Sequence, residues 1–313
     1  MSSNVKVTVS DVGEDALIER ITAGMKAGDG DRDGDGDGNG VVLGPGDDCA
    51  VVKSVGNGWW ELLKTDAVVA GVHFLPQTPA DEVGWKAMAR VVSDIGAMGG
   101  EPLFALVTLM VPKTCELGYV EQLYVGLKRC ADRYGVRVVG GETTSGPVVL
   151  ISVAMSGRVK PRFCVRRDGA KAGDLIYVTG RLGGSIRGHH LTFEPRVEQG
   201  QWLAQHFKPH AMMDLSDGLA KDLRRMGRMS GGLGCVLEEE RLPLNEGCSV
   251  EEGLNDGEDY ELLLAVSPRM AGRLEKAWKE RFPDVLLSGV GKFFKGAGKM
   301  PLEKSPGGWD HFG

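Results

Sequence analysis

The sequence predicts a two-domain protein of mixed strands and helices, with an α/β or α+β first half. Three observations carry that expectation. At 313 residues the chain is long for a single core. Short apolar runs of strand length alternate with stretches of helical periodicity from Val41 to Arg158. The alternation then breaks between Arg158 and Arg167, where Pro161 and the basic residues Lys160, Arg162, Arg166 and Arg167 intervene. A boundary there divides the chain into 1–158 and 159–313.

Taken in order, Glu14 to Met25 places apolar residues at Ala16, Leu17, Ile18, Ile21 and Met25, a short helix. Residues 28–40 then alternate Asp with Gly. Asp33-x-Asp35-x-Asp37-Gly38 follows the first half of an EF-hand loop, but Gly44 stands where a bidentate Glu is needed and no second helix follows. A flexible low-complexity insertion is the better description. Strands are expected at Val41 to Leu43, Cys49 to Lys53 and Trp60 to Lys64. Asp81 to Gly99 is helical through Val83, Ala87, Met88, Val91, Val92, Ile95 and Met98, and stops at Gly99-Gly100 before Pro102. Leu103 to Val111 reads as a buried strand, Glu116 to Tyr134 as a helix, and Arg137 to Val139 as a strand running into Gly140-Gly141-Glu142-Thr143-Thr144. Pro147 to Arg158 closes the first half as another strand. The second half opens with a strand at Leu175 to Val178 and a Gly-rich turn lacking the G-x-G-x-x-G spacing of a dinucleotide site. Ala211 to Asp214 is a strand leading to a helix from Leu219 to Met229, with Ser216 a candidate cap. Gly257-Glu258-Asp259-Tyr260-Glu261 precedes the apolar run Leu262 to Val266, and Trp309 lies in the tail.

Composition excludes several classes. A formal net charge of -6 with no basic tract argues against a nucleic-acid partner. The six cysteines include no Cys-x-x-Cys pair, so they read as reduced thiols without a disulfide framework or zinc site. The N-terminus has no signal pattern, and the run Leu103 to Val111 is too short to cross a bilayer. A cytoplasmic protein with no membrane association is expected.

The chemistry lies in the carboxylates. Asp47, Asp48, Asp66, Asp94, Glu142, Asp214 and Asp217 each sit at an expected strand end or beside small residues. That many would repel one another unless cations held them together. Oxygen ligands without clustered thiols or histidines suit Mg2+, and Mg2+ in such numbers suits a polyphosphate substrate. Asp94, though inside a helix, has Ser93, Gly96 and Ala97 around it and so room for a ligand. Asp214 and Asp217 flank Ser216 at a helix start, a place suited to metal-bound phosphate. Neither a P-loop nor a His-Arg-Asp catalytic loop is present, which excludes P-loop NTPases and protein kinases.

Seven motifs appear in order: Gly46-Asp47-Asp48, Thr65-Asp66, Gly71-Val72-His73-Phe74, Ser93-Asp94-Ile95-Gly96-Ala97-Met98-Gly99, Gly140-Gly141-Glu142-Thr143-Thr144, Asp214-Leu215-Ser216-Asp217-Gly218-Leu219 and Gly257-Glu258-Asp259-Tyr260-Glu261-Leu262. Together they closely resemble the thiamine-monophosphate kinase family, over nearly the whole chain from Gly44 to Trp309. The resemblance implies the two-domain fold of the aminoimidazole ribonucleotide synthetase superfamily, with a dimerising N-terminal α/β domain and a C-terminal α+β domain. It implies direct in-line transfer of the ATP γ-phosphate to thiamine monophosphate, the last step of thiamine diphosphate formation, with no protein nucleophile. Carried onto this sequence, Asp48, Thr65, Asp66, Asp94, Glu142, Asp214 and Asp217 would ligate Mg2+. Gly141, Glu142, Arg166, Ser216 and Tyr124 would contact ATP. His73, Glu258 and Trp309 would face the thiamine end, and the active form would be a homodimer.

Two departures stand out: Glu142 replaces the family's Asp, and Lys64 stands where Ser or Thr is common. The Asp/Gly insertion is also foreign to the pattern. Another enzyme of the same superfamily is the nearest alternative. Selenophosphate synthetase depends on a reactive Cys or selenocysteine, and Cys49 reads more simply as a small buried residue. A calcium-binding protein built on residues 28–40 is the alternative from a different class.

Overall fold

A computed structural model describes residues 8–23, 40–54 and 58–296. The Asp/Gly insertion, apart from Gly40, and Trp309 lie outside these residues.

The first part begins with helix α1 (Glu14–Thr22) and builds a six-stranded sheet from β1 (Val41–Leu43), β2 (Ala50–Lys53), β3 (Trp60–Val69), β4 (Glu101–Val111), β5 (Arg137–Ser145) and β6 (Leu150–Val159). Its order is β1-β2-β3-β6-β4-β5. All neighbours are antiparallel except β4 and β5, which helix α3 (Leu117–Tyr134) connects as a crossover. Helix α2 (Ala80–Ala97) lies with α3 on one face of this sheet, its Met88, Val91 and Ile95 in one core with Val107, Ile151 and Val153. The two helices approach through glycines. A Cβ at Gly126 would lie 1.7 Å from the Asp81 carbonyl oxygen, and one at Gly84 1.9 Å from that of Leu123.

Among the described residues nothing covers the opposite face of the sheet. Leu63, Phe104, Leu106 and Val139 are exposed there, and β5 is exposed along its whole length.

The second sheet contains β7 (Leu175–Thr179), β8 (Ala211–Asp214), β9 (Gly234–Leu237), β10 (Leu262–Val266) and β11 (Leu287–Phe294) in the order β8-β10-β7-β11-β9, antiparallel throughout. Strand alternation gives it two apolar faces. Leu263 and Ala265 share a core with Leu219, Leu223 and Met226 of α6 (Leu219–Met229). Leu262, Leu264 and Val266 pack with Leu203 of α5 (Val197–His206) and with Leu274 and Trp278 of α8 (Pro268–Arg281). Two short helices, α4 (His189–Thr192) and α7 (Val250–Asn255), complete this part. Helix α2 reaches across to it. Trp85 Nε1 donates to the Phe193 carbonyl at 2.8 Å, and Ala97 joins the α5–α8 core.

Three local expectations change. Strand β3 runs on to Val69, because β6 pairs with it from Trp60 through Val69, so Thr65 and Asp66 lie within the strand rather than at its end. Strand β5 continues through Gly140-Gly141, where a Cβ on Gly141 would stand 1.8 Å from the Val107 carbonyl oxygen, so only glycine lets β4 approach. The N-cap of α6 is Gly218, and no side chain caps it, so Ser216 does not serve as the cap. Among the described residues no helix is long and apolar enough to cross a membrane.

Candidate active site

Three elements bring three carboxylates together. Asp48 lies in the turn before β2, Asp94 in the last turn and a half of α2, and Asp214 at the end of β8. Each offers an oxygen, and these oxygens lie within 4.8 Å of one another with all three residues buried. Ser93 Oγ donates to Asp214 Oδ2 at 2.6 Å and fixes that carboxylate. Arg167 fixes the other side: its backbone N–H donates to Asp47 Oδ2 at 3.1 Å, its Nε lies 3.4 Å from Asp47 Oδ1, and its guanidinium pairs with Asp48. Lys64 Nζ lies 3.0 Å from Asp94 Oδ1 and 3.7 Å from Asp66 Oδ1.

This is a strained electrostatic arrangement. Burial pushes the Asp94 carboxyl well above the carboxylate range; Lys64 opposes that shift while Asp214, Asp66 and Asp48 add to it. Burial likewise raises Asp214, with Asp48 adding to it. Among the described residues Asp48 Oδ2, which is buried, has no hydrogen-bond partner. Hard oxygen donors, mutual repulsion and an orphaned carboxylate oxygen together fit a bound divalent cation.

A second constellation forms farther back along α2. Lys86, fully buried, donates from Nζ to the His73 carbonyl at 2.6 Å and to Glu258 Oε2 at 2.7 Å, and meets His190 Nδ1 at 2.7 Å. Burial drives the Lys86 ammonium down to about 8, against the pull of Glu258. Burial would raise Glu258, but the hydrogen bond from His190 and the charges of Lys86 and Arg90 outweigh it and hold the carboxyl at about 2. Glu258 and Tyr260 both have left-handed backbones, φ 64° and 51°, conformations that cost about 1–3 kcal/mol each for residues other than glycine. Tyr260 is stacked on Phe193 with ring centroids 3.9 Å apart. The sequence candidates His73 and Glu258 are therefore joined through a lysine.

The three-carboxylate cluster does not include Asp66, Glu142 or Asp217. Alternation along β3 turns Lys64 and Asp66 toward α2 and Thr65 to the open face, where its Oγ1 lies 3.4 Å from Ser152 Oγ. Glu142 of β5 pairs with Thr108 of β4, and β6 and β4 separate β5 from β3. Three strand spacings put Gly141 and Glu142 about 14 Å from β3. Tyr124 is on the exposed side of α3. Arg166 pairs with Asp168 at 2.7 Å. Asp217 is engaged by Arg225 at 2.8 Å and Lys221 at 3.3 Å, and the Ser216 carbonyl accepts the Glu258 N–H at 2.7 Å.

Arg167, Lys86 and His190 were not among the sequence candidates. Arg167 read only as part of a basic boundary. Lys86, however, left a signal. Lys86, Arg90 and Asp94 recur every fourth residue, a charged line on a helix buried on almost every side, and each such charge needs a partner. Arg90 finds one in the Ala67 carbonyl at 2.9 Å.

The profile of the family described as "AIR synthase related protein, N-terminal domain" matches residues 46–159. A thiamine-monophosphate kinase of Rhodopirellula baltica is 38% identical over 254 residues, 75% of this chain and 79% of that protein. One from Aquifex aeolicus is 34% identical over 298 residues, covering 85% and 92%. The structure described as AaThiL complexed with AMPPCP and TMP superimposes with a TM-score of 0.81 at 30% identity, over 98% of this chain and all of that one. Structures of the hydrogenase maturation protein HypE, at 16–20% identity and TM-scores of 0.62–0.64, share the fold. With 75–85% of the chain covered at 34–38% identity, and with the aspartates that the motifs singled out meeting at one buried point, the chain belongs to the thiamine-monophosphate kinase family.

Proposed function

We propose that this protein transfers the γ-phosphoryl group of ATP directly to the phosphate of thiamine monophosphate, in line and with Mg2+, giving thiamine diphosphate as the last step of its formation. The observation that carries this reading is the meeting of Asp48, Asp94 and Asp214 around an unpartnered Asp48 oxygen. Family membership and the likeness to AaThiL complexed with AMPPCP and TMP support it.

Asp48, Asp94 and Asp214 would hold Mg2+, with Asp66 beside them, and the ion supplies neutralisation of the triphosphate oxygens. Ser93 and Arg167 keep the carboxylates in place before substrate arrives. The acceptor's far end falls to the Lys86 constellation, where Glu258 is a fixed anion suited to a cationic thiazolium ring and His73 is held beside it. An acceptor phosphate is already anionic, so positioning replaces a general base and no side chain acts as nucleophile.

We infer a homodimer through the uncovered sheet face. A second copy there would cover Leu63, Phe104, Leu106 and Val139, an apolar patch suited to an interface. Thr65 and Glu142 share that face, so a partner would approach the two candidates that one chain leaves apart. Residues 1–158 would form the dimerising Mg2+–ATP domain and 159–313 the second domain. Six free cysteines suit the reducing cytoplasm, where we place the reaction.

Incubation with ATP, Mg2+ and thiamine monophosphate, with thiamine as a control acceptor, tests the reading. Thiamine diphosphate should form from the monophosphate alone. ATP binding without that product would move the acceptor to another small molecule.

A further inference from the structure

We propose that Lys64 takes the place of one divalent cation in the acidic site, its ammonium a covalently fixed counterion for Asp66 and Asp94. The proposal rests on the reading of that site as a metal–triphosphate centre.

The carboxylates divide into two groups of different character. At one end Asp48, Asp94 and Asp214 converge, and an Asp48 oxygen is left without a partner, so negative charge remains unbalanced. At the other end Asp66 and Asp94 already share a cation, with Lys64 Nζ 3.7 Å and 3.0 Å from their oxygens. Backbone geometry holds it there. Lys64 and Asp66 alternate onto the same face of β3, and the β6 ladder fixes that register through Lys64 opposite Met155 and Asp66 opposite Val153. Its side chain is only 23% exposed, so the ammonium is not a solvent-borne charge passing over the site.

A divalent ion bridging Asp66 and Asp94 would have to lie within a few ångströms of that ammonium. Like charges at such separation repel by several kcal/mol in a partly buried site. Lysine and metal therefore compete for one position. Replacing the lysine frees two carboxylates whose oxygens both lie within 4 Å of the position its ammonium held, and a cation from solution should fill the gap. The first end keeps its metal in either case, because of its three carboxylates only Asp94 forms an ion pair with Lys64, and Asp48 and Asp214 remain as ligands.

The test is Mn2+ binding to the full chain with AMPPCP present, counted by equilibrium dialysis and by electron paramagnetic resonance of free Mn2+. Lys64→Ser and the nearly isosteric Lys64→Met should each bind one more Mn2+ per chain than the unsubstituted protein. Lys64→Arg, which keeps a cation, should bind the same number. Methionine fills the space that serine leaves, so the count does not depend on serine being tolerated. An unchanged count in Lys64→Met, with the unsubstituted protein still binding Mn2+, overturns the assignment of Lys64 alone. No Mn2+ bound by the unsubstituted protein overturns both this assignment and the metal–triphosphate reading beneath it.

Discussion

Replacing Lys86 with methionine isolates what the second constellation contributes. The substitution keeps the length of a side chain that is fully buried, and removes an ammonium with partners at 2.6, 2.7 and 2.7 Å. Breaking a buried ion pair by deleting one member costs about 3–5 kcal/mol, because the other charge stays buried without compensation. Glu258 is 22% exposed, so water reaches it in part, and the expected loss is about 3 kcal/mol, at the low end of that range. Most of this should be charge. In a Glu258→Gln background the same substitution should cost only about 1 kcal/mol, the value of the hydrogen bond lost to the His73 carbonyl. Urea unfolding of the four proteins at neutral pH gives the coupling directly, expected near 2 kcal/mol. Turnover should show the same separation, with a raised KM for thiamine monophosphate and unchanged Mn2+ affinity at the acidic site. Equal losses in both backgrounds would refute the argument, since Lys86 would then be a packing residue with no charge to answer.

Four further outcomes are expected. Asp94→Asn should lower turnover roughly 100-fold or more while the thermal midpoint is retained, because one preorganised charge facing the triphosphate is lost; a folded variant at near-normal rate would make Asp94 a helix residue only. The Glu258 carboxyl is held at about 2 against an ordinary 4.5, so its stabilisation is complete above pH 4.5 and disappears as pH falls through 2. That is about 3 kcal/mol, and acid unfolding of Glu258→Gln should lack it. Gly126→Ala should destabilise by at least about 1–3 kcal/mol, read from denaturant midpoints, because its methyl meets the Asp81 carbonyl. Leu106→Glu should yield monomers by sedimentation if the open sheet face is the interface, and a dimer that survives it would place the contact elsewhere.

Elements with strong periodicity were legible: α2, α3, α6, β4 and β10 fall within a few residues of their expected bounds. So were the aspartates of the buried cluster, since carboxylates beside glycine and small residues have few other reasons to stand there. What sequence could not show was direction. Thr65 and Asp66 are neighbours in the chain, but alternation sends them to opposite faces once β3 is known to continue. Glu142 reads as part of the same acidic set, yet strand order puts two strands between it and β3. Arg167 looked like boundary charge because its partners, Asp47 and Asp48, are about 120 positions earlier, and such pairings carry no local periodicity.

The charged line on α2 also sets a length. From Lys86 to Asp94 is eight residues, a rise of about 12 Å along a helix that permits no stretching. On the proposed reading, one rigid rod spaces the end that would receive a triphosphate from the end that would meet the acceptor's ring, and would work as a ruler for the molecule between them. Substitutions along the rod are local matters. Adding or removing a single residue between Lys86 and Asp94 is not, because it turns one end by about 100° and shifts it by about 1.5 Å relative to the other. Relatives with different acceptors can then change the side chains at the far mark of the ruler, but the register between its marks is the part least free to drift.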